Sequence, residues 1–164
     1  PLLCPKRESE WIEPWKCNIL WSESGFAEND CVFQTNFPED GLETWVVSTY
    51  QPNERIEFVR VCANRVTRHN MSLRRNEVGT EVTWEQVITA LTPAGNDLIA
   101  TFNQKEYEEE IRTLEMMLNY YLATGEMYHF DEADPIADEI ADEFSDEFYD
   151  DDFAVGFEDD SNYY

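Results

Sequence analysis

The hydrophobic period changes once along this chain, and that change sets the class of fold open to it. From Trp15 to Leu91 apolar residues recur at every second position, the period of a strand with one buried and one wet face. In "CVFQTNF", Cys31, Phe33, Thr35 and Phe37 share a face, with Gln34 and Asn36 opposite. "WKCNILWS" puts Trp15, Cys17, Ile19 and Trp21 on one side. "ETWVVSTY" and "RIEFVRV" are β-branched and aromatic. In "VTRHNMSL", Thr67, His69, Met71 and Leu73 oppose Arg68, Asn70 and Ser72. In "TEVTWEQVITAL", Val82, Trp84, Gln86 and Ile88 oppose Glu81, Thr83, Glu85 and Thr89. Turn signals separate these runs: Ser24-Gly25, Pro38 to Gly41, Gln51-Pro52-Asn53, and Asn76 to Gly79. Six strands joined by short turns predict an antiparallel meander.

After Leu91 the period becomes helical. Thr92 followed by Pro93 is a helix start. Asn103 with Glu106 three residues on reads as a capping-box variant. Tyr107, Ile111, Leu114, Leu118 and Tyr121 then form an apolar stripe at spacings of three and four, with Glu108, Glu109, Glu110, Arg112 and Glu115 facing water. Gly125 is the stop. Before the strands, Leu2, Leu3, Trp11 and Ile12 are expected to cover a core edge from a short helix ended by Pro14. Strands followed by one long helix give an α+β layer architecture. The helix is expected to bury its stripe on the apolar face of the sheet, with a cavity between them.

Charge separates the chain into two parts. From Glu126 to Tyr164 there are 16 acidic residues and no Lys or Arg; all 11 basic residues lie earlier, beside the other 20 acids. So acidic a balance argues against nucleic acid and against anionic membranes. In "IADEIADEFSDEFYDDDF", Ile136, Ile140, Phe144 and Phe148 recur every four residues among acids. That pattern is expected of a disordered segment whose acids only keep its aromatic residues in solution, or which folds as an amphipathic helix on a protein partner or docks on its own domain. No run of 18 apolar residues exists, so no membrane span is expected. Cys4, Cys17, Cys31 and Cys62 lack C-x-x-C spacing and read as free thiols of a reducing, cytoplasmic compartment. The first residue is Pro rather than Met, which reads as a processed chain or a fragment.

Several stretches together resemble a known family: "PLLCPKRESEWIEPWKC", "SESGFAENDCVFQTNF", "RIEFVRV", "VTWEQVITALTPAGNDLIATF" and "MMLNYYLATGEM". They are similar to uncharacterised bacterial members of the SRPBCC, or START-like, superfamily, which includes polyketide cyclases, lipid-transfer domains and activators of chaperone ATPases. The resemblance covers residues 1–127 and leaves 128–164 as the acidic tail. It implies a helix-grip fold: a curved antiparallel sheet wrapped on a long C-terminal helix. The family has seven strands; six are counted here, with the first missing. The superfamily shares a pocket rather than a reaction.

The alternation then nominates the pocket. Phe33, Thr35, Trp45, Val47, Phe58, Arg60, His69, Met71, Trp84 and Gln86 point inward from the strands, and Tyr107, Ile111 and Leu114 close the cavity from the helix. Large apolar residues with few polar anchors suit a small apolar or aromatic ligand. Plain core packing is the competing reading. Arg60 on an inward phase needs a carboxylate or an anionic ligand group. His69 as a neutral imidazole can hydrogen-bond a ligand or act as a general base. Binding without chemistry is the leading expectation. A cyclase- or hydrolase-like enzyme using Arg60 and His69 is the second, and a protein-interaction module acting through the tail is the third. No nucleophile elbow, phosphate loop, zinc motif or calcium loop occurs, so no metal or cofactor is expected.

Overall fold

The structure is a computed structural model that describes residues 4–13, 15–37 and 41–130. Leu2, Leu3, Pro14, most of the turn signal from Pro38 to Gly41 and the acidic repeat lie outside the described residues.

A four-residue helix, α1 (Pro5–Glu8), comes first. Six strands follow: β1 (Asn18–Trp21), β2 (Val32–Phe37), β3 (Gly41–Gln51), β4 (Arg55–Val61), β5 (Arg65–Arg75) and β6 (Thr80–Ala90). They form one antiparallel sheet in chain order, with β1 and β6 at its ends. Two helices close the described chain, α2 (Pro93–Ala100) and α3 (Gln104–Thr124). The chain is α+β, as the change of period predicts.

Local chemistry sets the boundaries. Asn53 takes a φ of 65° in the β3–β4 turn, a left-handed conformation that asparagine tolerates. The Asn76 side chain accepts from the backbone N–H groups of Val78 and Gly79 between β5 and β6. Thr92 caps α2 by accepting from Gly95 N–H, and its hydroxyl donates to Asn64 Oδ1 at 2.9 Å. Asn103 caps α3 by accepting from Lys105 N–H. Glu106 does not reach back to the cap's backbone as a capping box would; it accepts from the Asn103 side-chain amide. Gly125, at φ 75°, ends α3 and bonds back to the Tyr121 carbonyl.

Two departures from the sequence expectation follow from packing. A bulge between Ile19 and Trp21 adds one residue to β1, so Trp21 leaves the face of Cys17 and Ile19 and is 51% exposed. From Leu114 on, the α3 stripe buries itself on the N-terminal segment rather than on the sheet. Met117, the one fully buried residue of α3, packs with Trp11 and Ile12, and Leu114, Leu118 and Tyr121 lie against the same cluster. The Tyr121 hydroxyl donates to Glu10 at 2.6 Å, and Glu10 pairs with Arg7 at 2.8 Å. That pairing, with the Tyr121 bond, draws the Glu10 carboxyl down to about 2.

The sheet has its own core. Phe33, Trp45, Val47, Ile56, Phe58 and Met71 meet Cys4, Ala27 and Cys31. Trp15 touches both this cluster and the one under α3. Its indole donates to the Pro5 carbonyl at 2.7 Å, which fixes the N-terminal segment between sheet and helix.

Candidate functional site

Register places the expected residues in rows across the buried face. Phe33, Trp45, Arg60 and Thr67 are successive cross-strand partners, and Ile88 ends that row. Val47, Phe58, His69 and Gln86 form the next row. Tyr50, Ile56, Met71 and Trp84 form the third. Thr35 pairs with Glu43 at the β2–β3 end. All ten strand residues nominated by alternation lie on the inner phase. Phe33, Thr35, Trp45, Val47, Phe58, His69 and Met71 are buried, while Arg60, Trp84 and Gln86 are partly buried.

The rows divide by what they touch. Phe33 stacks on Trp45 at 5.4 Å between ring centroids, and Phe58 meets both edge-on at 6.0 Å. The Trp45 indole donates to Thr35 Oγ1 at 2.8 Å. These residues pack against one another as a filled aromatic core.

Arg60 found its carboxylate. Its Nε lies 2.5 Å from Glu43 Oε2, and Glu43 is 0% exposed. The guanidinium also lies over the rings of Trp45 and Phe37, at 5.0 and 5.8 Å. Glu43 was absent from the expected site. Its signal was present, since it holds the same phase as Trp45 and Val47 in "ETWVVSTY".

His69, Trp84 and Tyr107 behave differently. His69 is 4% exposed and stacks on Trp45 at 5.3 Å. Burial, with the nearby Arg60 and Arg65 charges, pushes its pKa down to about 3, so the ring is neutral. Both His69 nitrogens, Trp84 Nε1 and the Tyr107 hydroxyl are sealed from solvent without a hydrogen-bond partner among the described residues. Burial, then Glu110, raises the Tyr107 pKa; the Gln86 side chain, close to the hydroxyl but outside hydrogen-bond geometry, opposes them. Tyr107 therefore lies over β6, next to the residue paired with His69. Ile111 is half-buried one turn on. Leu114 belongs to the cluster with Trp11 and Ile12, away from the sheet core.

Neither a family model, nor a curated protein, nor a solved structure matches this chain.

The opposite face of the sheet carries a separate groove of about 290 Å³, lined by Arg55, Glu57, Arg68, Asn70, Glu85, Gln86 and Val87. Its charges satisfy each other: Arg55 donates to Asn70 and Glu57, and Asn70 donates to Glu85. It shares only Gln86 with the inner-face site. Among the described residues no His, Cys, Asp and Glu cluster is placed to hold a metal ion, and no helix is long and apolar enough to cross a membrane. All four cysteines are free thiols. Burial raises the Cys17 thiol to about 11, which keeps it protonated and unreactive at neutral pH.

Proposed function

We propose that the inner face of the sheet and the first turns of α3 bind a small apolar or aromatic molecule, in a helix-grip arrangement like that of the SRPBCC superfamily. The observation that carries this reading is the group of sealed, unpartnered polar atoms on His69, Trp84 and Tyr107. Buried polar groups are nearly always hydrogen-bonded. Each orphan costs about 1–3 kcal/mol. Three beside one another, where helix meets sheet, suit the polar anchors of a pocket with apolar walls. Thermal shift and native mass spectrometry against a library of lipids and aromatic metabolites test the reading. Retained adducts that raise the melting temperature support it; absence of any adduct sinks it.

The enzymatic alternative is the weaker one. A histidine whose pKa is about 3 is a poor general base at neutral pH, and Arg60 is committed to Glu43. The interaction-module alternative rests on the acidic repeat, outside the described residues. Pull-down with and without residues 128–164 separates it: partner recovery that needs the tail favours it over the pocket.

A further inference from the structure

The site's polar groups are mostly donors, and that selects a ligand chemistry. Trp84 offers an indole N–H, Tyr107 an O–H, and neutral His69 one N–H and one lone pair. His69 and Gln86 are cross-strand partners; Trp84 is the next inward residue on β6, opposite Met71. Diagonal neighbours on a sheet face are about 7–8 Å apart, within reach of one small molecule. Tyr107 comes down from α3 beside Gln86.

Charge disfavours an anion at the Tyr107 end of the site. Arg60 is neutralised by Glu43. Arg65 lies two inward positions before His69, on the side away from Trp84. Glu110 is near enough to the Tyr107 hydroxyl to raise its pKa, and its charge repels a carboxylate brought there. A cation fares no better, because Trp84 offers only an N–H and neutral His69 a single lone pair.

We propose that Trp84, Tyr107 and His69 form the polar anchor for an uncharged, planar ligand carrying a carbonyl-type acceptor, such as an aromatic ketone. This rests on the reading of the inner face as a ligand site. Trp84 and Tyr107 donate to the ligand oxygen, and His69 meets a second polar group or the ring edge. Because the donors are sealed, Tyr107 swings aside to admit the ligand. The chain around it permits this: residues 96–106 are all exposed, and Tyr107 is the first residue after Gly95 to contact the interior.

The test uses three probes of one shape: acetonaphthone, ethylnaphthalene and naphthoate, titrated into the full chain and followed by tryptophan fluorescence. The ketone is expected to bind at least about tenfold tighter than the hydrocarbon, and naphthoate no tighter than the hydrocarbon. Trp84→Phe and Tyr107→Phe are each expected to weaken the ketone about fivefold to tenfold and to leave the hydrocarbon unchanged. Calorimetric binding checks Trp84→Phe independently of its lost fluorescence. Equal binding of ketone and hydrocarbon overturns the donor anchor but keeps the apolar pocket. Naphthoate binding tightest overturns the ligand class. Binding of none of the three overturns both this inference and the pocket.

Discussion

Arg60 and Glu43 form an ion pair inside the sheet, one strand apart, with Glu43 fully buried. Two charges taken from water are tolerated there because each supplies the other's partner. Glu43→Ala is expected to destabilise the fold by about 3–5 kcal/mol, since it removes the carboxylate that pairs with the guanidinium. The double change Glu43→Leu with Arg60→Met is expected to cost much less than the single one. Urea unfolding of the three proteins checks this; a double change that costs at least as much as Glu43→Ala would contradict it.

Gly95 marks a close approach that no other residue fits. A Cβ there would lie 2.1 Å from the Asn64 carbonyl oxygen, the acceptor for Leu91 N–H. Alanine in a helix normally gains about 1 kcal/mol over glycine. Gly95→Ala is instead expected to lose about 1–3 kcal/mol by pushing α2 off the β4–β5 turn. A rise in melting temperature would show that this contact does not hold α2 in place.

Glu8 makes the fold more stable in acid. Burial raises its pKa from 4.5 to about 8, so the folded state keeps the proton while the unfolded chain releases it. Its contribution is full below pH 4.5 and falls as pH rises from 4.5 to 8. Glu8→Gln is expected to flatten that fall and to stabilise the protein by a few kcal/mol at pH above 8. Melting temperature against pH for both proteins reads it out; parallel curves would contradict a buried Glu8.

His69 acts in the opposite sense. Its pKa falls from 6.5 to about 3 on folding, so its contribution is full above pH 6.5 and is lost as pH drops from 6.5 to 3. His69→Gln is expected to remove that acid loss and move the stability optimum to lower pH. NMR titration of the imidazole gives the direct check: a midpoint near 6.5 would place His69 in water.

The strands and the long helix were legible because burial imposes periods of two and 3.6 that the residues state openly. Thr92, Asn103 and Gly125 announced the helix boundaries by their own hydrogen bonding and backbone freedom. The bulge that turns out Trp21 was not legible, because alternation presumes an unbroken register. The partner of the α3 stripe was not legible either, since Met117 would read the same against a sheet or against Trp11 and Ile12. Glu43 was legible in part: its inward phase was visible, but only the adjacent strand showed which charge it answers. That His69, Trp84 and Tyr107 lack hydrogen-bond partners among the described residues depends on side-chain geometry, which no pattern in a sequence reports.

The proposed ligand site lies where Tyr107 meets His69 and Trp84. The indole N–H resonances of Trp11, Trp15, Trp21, Trp45 and Trp84, assigned by single substitution to Phe, test it on addition of acetonaphthone. The Trp84 resonance is predicted to move most, in the direction of a new hydrogen bond, while exposed Trp21 stays fixed. A fixed Trp84 with a shifting Trp21, or no shift at any indole, would contradict the claim.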